Sequence, residues 1–196
     1  MVATPSTMVG LGTKAHPFRL PDPRTGQIFD FSDSAESKGY LIAFICNHCP
    51  YVIHLLPELT RLCKMWQSEG LEIVFVSSND VENYPADAPH LMKELAEKHQ
   101  FSFPYLYDEH QTIALSYRAA CTPDFFLYDL EFSLFYRGQF DDSRPSNELV
   151  VTGKDLSGAV NRLLSKLSPP ETQYPSLGCN LKWKKGNEPD YFKPKK

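Results

Sequence analysis

The segment Cys46-Asn47-His48-Cys49 stands directly behind the apolar run Tyr40-Leu-Ile-Ala-Phe-Ile45, and this junction constrains the chain more than any other feature. A continuous apolar run of that length suits a strand buried on both faces, as in a sheet covered by helices on either side. After the second cysteine, Val52, Leu55, Leu56, Leu59, Leu62, Cys63 and Trp66 recur at helical spacing, which predicts a helix of about four turns. Pro57 falls inside it and is expected to kink it. Two cysteines within reach of each other thus sit where a buried strand meets a helix N-terminus. Unpaired N–H groups and the helix dipole favour a thiolate there, and the thiolate is the nucleophile of disulfide exchange. The placement predicts that Cys46 faces solvent and attacks, while Cys49, one turn in, is covered and resolves. His48, between them, is a candidate to lower the thiol pKa further when protonated.

The rest of the chain alternates strands and helices. Pro17, Pro21 and Pro23 punctuate an extended stretch, Thr25-Gly26 reads as a turn, and residues 27–31 as a short strand. Gly70 ends the first helix, and residues 71–77 form a second buried strand. Residues 90–99 are helical, with Asp87 as a candidate N-cap. Residues 103–106 suit a short strand and 108–118 another helix. Residues 121–128 form a strand entered through a proline, with 132–137 as its hairpin partner. Thr152-Gly-Lys-Asp155 has capping-box form and opens a helix with Leu156, Val160, Leu163, Leu164 and Leu167 inward. Strands joined through helices pair in parallel, and the late hairpin adds an antiparallel edge. The expected fold is α/β, a mixed central sheet flanked by helices. Residues 1–16 read as an irregular arm, 17–167 as the domain, and 168–196, with Pro169, Pro170, Pro175, Pro189 and Pro194, as an irregular tail packed on it.

With 196 residues, 42% of them hydrophobic, the chain suits one domain with extensions. A net charge of −4 recommends neither nucleic acid nor an anionic membrane as partner, and Lys193, Lys195 and Lys196 read as a solvated end. Residues 1–14 lack a signal-peptide pattern, and no apolar run approaches the roughly 20 residues of a membrane span. A cytoplasmic protein is expected. Five cysteines with one close pair argue against a disulfide scaffold and for a catalytic or metal role in a reducing compartment. The competing reading is a non-catalytic zinc-binding or interaction module. Zinc takes four ligands and a second CxxC is absent, so Cys121, Cys179, His48 or His54 would have to converge on the pair. Cys63 lies on the apolar helix face and reads as core. Asp141 and Asp142 with Arg144 read as a salt-bridged turn, and Phe101, Phe103, Tyr105 and Tyr107 as packing.

Strand, CxxC, helix, and later a Thr-Pro leading into a strand: this arrangement resembles the thioredoxin superfamily. Thr122-Pro123 is similar to that family's cis-proline motif. The resemblance implies a cis bond lying against the dithiol and a preceding backbone that pairs with the substrate. The runs Phe44-Ile-Cys-Asn-His-Cys-Pro-Tyr-Val52, Thr122-Pro-Asp-Phe-Phe126, Tyr136-Arg-Gly-Gln139, Asp141-Asp-Ser-Arg-Pro145 and Ser176-Leu-Gly-Cys-Asn-Leu-Lys-Trp183 further resemble a peroxiredoxin-like, AhpC/TSA-related group carrying a CxxC. Against plain thioredoxins, Ile45 replaces a Trp, Tyr40 a buried Asp, and His54 a helix proline. The proton acceptor of the thioredoxin type is thus missing, and His48 or His54 is left to substitute. Against peroxiredoxins, neither cysteine has a Thr three residues before it: Ala43 precedes Cys46 so, and Cys46 precedes Cys49. The implied function is thiol–disulfide exchange with a protein or low-molecular-weight substrate, needing no metal or organic cofactor and fed by a thioredoxin or glutathione system. Cys46 and Cys49 would be catalytic, Thr122 and Pro123 substrate-binding, and Cys121 and Cys179 auxiliary thiols. The alternative is a peroxiredoxin-like peroxidase reducing hydroperoxides.

Overall fold

The computed structural model describes residues 3–32 and 37–192; the basic end, Lys193 to Lys196 with Pro194, lies outside them. In chain order the elements are β1 (Ala3–Pro5), β2 (Arg19–Pro21), β3 (Ile28–Asp30), β4 (Tyr40–Phe44), α1 (Pro50–Ser68), β5 (Glu72–Ser77), α2 (Pro89–Lys98), β6 (Tyr105–Tyr107), α3 (Thr112–Ser116), β7 (Cys121–Thr122), β8 (Asp124–Tyr128), β9 (Leu134–Gly138), α4 (Lys154–Leu164) and β10 (Leu177–Asn180).

The central sheet has the order β6-β5-β4-β8-β9. β4, β5 and β6 run parallel because α1 and α2 carry the chain back between them. β8 and β9 add the antiparallel edge, joined by a tight turn in which Asp129 Oδ1 accepts the Glu131 and Ser133 N–H groups. Side chains alternate across β4. Leu41, Ala43 and Ile45 join the core under α1, α2 and α4, whereas Tyr40, Ile42 and Phe44 join Tyr117 and Ala114 of the α3 region on the other side. Pro57 stays inside α1 on its exposed face. Among the described residues no helix is long and apolar enough to cross a membrane.

Several local expectations are corrected. The arm and the tail are not wholly irregular: β10 pairs with β1 on one side and with β7 on the other in a second sheet. The strand expected over residues 121–128 is divided at Pro123, and its two parts join different sheets. The helix expected over 108–118 shrinks to α3, because the Asp108 carboxylate accepts the Ile113 and Ala114 N–H groups and fixes its start late. The capping box at Thr152 does not form. Asp141, from a distant loop, takes the Thr152 and Gly153 N–H groups, and Asp155 instead accepts from Gln139. Asp87 is not the cap of α2, whose N-cap is Ala88. Its carboxylate turns inward.

Candidate active site

β4 delivers Cys46 and Cys49 to the N-terminus of α1, with Cys49 in the N-cap position and Pro50 first in the helix. Proline fits there because the N–H it lacks would have no helical partner. Across the gap stands the loop between β7 and β8, where Thr122-Pro123 is a cis peptide bond, as expected. Thr122 touches both cysteines: its Oγ1 is 3.4 Å from Cys46 Sγ, and its carbonyl oxygen is 3.1 Å from Cys49 Sγ. The exposed, solvent-facing Cys46 is not found. Cys46 is 1% exposed and Cys49 fully buried, because Thr122 and the turn through Asn47 and His48 close over them.

The backbone edge of Thr122 is also not open to a substrate chain. β10 fills it, with Cys179 opposite Thr122 and Asn180 opposite Cys121. That pairing sets Cys179 Sγ 2.8 Å from Cys49 Sγ. Gly178 makes the approach possible: a Cβ there would stand 2.0 Å from the Thr122 carbonyl oxygen. Gly178→Ala is therefore expected to cost about 2–3 kcal/mol, since a clash with backbone cannot be relieved by a rotamer. For a chain of this size that is a Tm loss of about 4–12 °C, read by thermal unfolding; an unchanged Tm would mean that β10 does not sit against Thr122.

A buried carboxylate stands beside the dithiol, supplied by an unexpected element. Asp87, fully buried, accepts the Asn47 backbone N–H at 2.7 Å and the Asn79 side-chain amide at 2.8 Å. Its Oδ2 also lies 2.7 Å from His48 Nδ1. The His48 ring is about a quarter exposed and stacks on Tyr84. Tyr105, buried on β6, donates its hydroxyl to Asn47 Oδ1 and holds the turn from below. Among the described residues, Cys46, His48 and Asp87 offer potential metal-ligand atoms within 4.8 Å of one another. Both carboxylate oxygens of Asp87 already accept N–H bonds. His54 stands apart, its Nε2 2.7 Å from Ser143 Oγ, and does not join the dithiol.

The thiols divide their charge unevenly. Its hydrogen bonds with Cys179 and then with Cys46 hold Cys49 far below the usual thiol range, with the Val52 N–H and Thr122 helping against burial. Cys46 is raised by its hydrogen bond to Cys49, by burial and by the charge of Asp87. Cys179 is raised by its hydrogen bond to Cys49 and by burial. Of the two, Cys49 is thus pushed toward the thiolate and Cys46 away from it. Cys121 contacts the Pro123 carbonyl through its Sγ at 3.5 Å; burial first and then Asp124 raise it, as for a packed thiol. Burial alone raises Cys63.

Residues 11–137, about two thirds of the chain, match the AhpC/TSA family. The chain belongs to that family. Its fold is thioredoxin-like, shared with a putative thiol:disulfide interchange protein DsbE from Chlorobium tepidum at 19% identity and TM-score 0.62, over 80% of this chain and 99% of that one. Two solved structures are much more similar. An uncharacterized conserved protein from Geobacillus kaustophilus is 46% identical with TM-score 0.91, covering 94% of this chain and 97% of that one. A hypothetical protein from Sinorhizobium meliloti is 42% identical with TM-score 0.91, covering 93% and 100%. No curated protein matches. Membership of the AhpC/TSA family places the chain among thiol-based redox proteins. The family match ends at Arg137, so β10 and Cys179 lie outside the matched region.

Sequence reasoning missed Asp87, Asn79 and Tyr105. The one signal was a carboxylate bracketed by Pro85 and Pro89 in the loop after β5. A helix cap has the same signature, and only tertiary packing separates the two.

Proposed function

We propose that this AhpC/TSA-family chain is a cytoplasmic thiol–disulfide oxidoreductase that cycles Cys46 and Cys49 between dithiol and disulfide. The reading is carried by one observation: a dithiol at a helix N-terminus with a fully buried carboxylate, Asp87, beside the first cysteine. Both cysteines are buried at rest; the cover over Cys46 includes the partly exposed Asn47–His48 turn, whereas Cys49 lies against Thr122 and Cys179, so an incoming disulfide that displaces the turn meets Cys46 first.

Cys46 attacks one substrate sulfur, and its proton passes to the Cys49 thiolate with which it is hydrogen-bonded. The first substrate thiolate leaves. Cys49 then returns its proton through that leaving group or the Asp87–His48 pair and attacks Cys46 Sγ. The Cys46–Cys49 disulfide forms and the second substrate thiol departs. A dithiol of the thioredoxin or glutathione type restores the enzyme. With β10 on the Thr122 edge, the reading favours low-molecular-weight disulfides or exposed protein disulfides that need no strand pairing.

The test is redox titration of the purified chain against glutathione, with the thiols counted by alkylation and mass spectrometry, alongside turnover of hydroxyethyl disulfide. A two-electron transition at Cys46–Cys49 with turnover is expected. A chain whose two thiols never pair, with no turnover, would refute the proposal. Hydrogen peroxide turnover is expected to be slow, near the rate of an ordinary thiol. No Thr or Ser precedes either cysteine by three residues, and the hydroxyl that reaches Cys46 belongs to the buried Thr122. Rapid, saturable peroxide reduction in a steady-state assay would favour the peroxidase instead.

A further inference from the structure

Cys179 has no part in the Cys46–Cys49 cycle, yet its Sγ is 2.8 Å from Cys49 Sγ. A covalent S–S bond is about 2.0 Å long, so little movement separates contact from bond. Strand register sets this closeness. One edge of β10 pairs with β7, opposing Cys179 to Thr122, and the other with β1, opposing Cys179 to Ala3. Just beyond, the Leu181 N–H donates to the Ala120 carbonyl and the Lys182 N–H to Asn79 Oδ1. Cys179 is enclosed between β1 and β7, with its Sγ against that of Cys49.

We propose that Cys179 is a third catalytic cysteine, which takes over the disulfide from Cys46 by exchange at Cys49. This rests on the exchange reading of Cys46 and Cys49. Starting from the Cys46–Cys49 disulfide, Cys179 Sγ attacks Cys49 Sγ as its proton is given up. The Cys49–Cys179 bond forms, the Cys46–Cys49 bond breaks, and the electron pair leaves on Cys46. The proton lost by Cys179 ends on Cys46, so the step needs no oxidant or reductant. Its product keeps the chain oxidised while returning Cys46 as a thiol, and it ties the C-terminal strand covalently to the start of α1.

The test uses the full chain and its Cys46→Ser, Cys179→Ser and Cys179→Ala variants, each confirmed folded by circular dichroism. Diamide is the oxidant; it accepts two electrons and two protons per disulfide made. The chain has five cysteines, so Cys46→Ser keeps four. Its free thiols are expected to fall from four to two, with peptide mapping linking Cys49 to Cys179. The wild-type chain is expected to yield both the Cys46–Cys49 and the Cys49–Cys179 linkages, and the two Cys179 variants only the first. If Cys46→Ser keeps all four thiols while both Cys179 variants still close Cys46–Cys49, the third-cysteine role is wrong and the oxidoreductase reading stands. Recovery of Cys46–Cys49 alone from the wild-type chain at every diamide dose overturns the exchange step. If no variant closes an intramolecular disulfide, the oxidoreductase reading itself has failed.

Discussion

Cys46→Ser and Cys49→Ser are each expected to lower disulfide turnover by roughly three orders of magnitude or more, because groups that act as a unit lose nearly everything when either is removed. Their trapped species should differ. Cys49→Ser keeps the attacking sulfur and lacks the one that resolves, so incubation with hydroxyethyl disulfide should leave a stable adduct on Cys46. Cys46→Ser should leave none on Cys49, which is enclosed by Thr122 and β10. The charge distribution makes this a sharp test. Cys49 is the more acidic thiol, held down by its hydrogen bonds with Cys179 and Cys46, while the partly exposed Asn47–His48 turn lies over Cys46. Exchange rates follow both thiolate fraction and access. An adduct on Cys49 in the Cys46→Ser protein, found by peptide mass mapping, would show that acidity wins and would reverse the roles.

What the sequence disclosed follows a physical division. Apolar periodicity located β4, α1, β5 and α4, because each buries a continuous face whose spacing is local. The dithiol was legible for the same reason: four adjacent residues bracketed by a buried strand and a helix. The Thr122-Pro123 turn was legible only through family resemblance. Contacts between distant segments were not legible. Asp87 reaches the Asn47 N–H from 40 residues away, and Cys179 reaches Cys49 from 130. Nothing local distinguishes Asp87 from a helix cap or Gly178 from an ordinary loop glycine. β10 itself is four residues in a proline-rich tail, too short for a period, and its identity as a strand comes from its neighbours β1 and β7. The expected solvent-facing Cys46 failed partly for the same reason, since Thr122 covers it together with the adjacent turn through Asn47 and His48.

Asp124→Ala is expected to be the most destabilising single change outside the dithiol. Asp124 begins β8 immediately after Pro123, and its Oδ2 accepts from Arg137 Nη2 at 3.0 Å; both side chains are fully buried. Burial raises the Asp124 carboxyl, and Arg137 is what chiefly opposes that shift. The guanidinium also donates to the Arg118 carbonyl at 2.9 Å and lies 4.3 Å over the Phe126 ring. These contacts do not replace a counter-charge. Removing Asp124 strands a cation between sheet and tail, a loss of about 3–5 kcal/mol, or about 6–20 °C in Tm at 2–4 °C per kcal/mol. A buried pair owes little net stability to its own attraction, because desolvation of both ions offsets most of it. Asp124→Leu combined with Arg137→Met should therefore be more stable than Asp124→Ala. Thermal unfolding of the two proteins decides it. A single variant that loses less than about 1 kcal/mol, within the range of an exposed pair, would mean that water reaches Arg137 and that the core under the Thr122-Pro123 turn is not sealed.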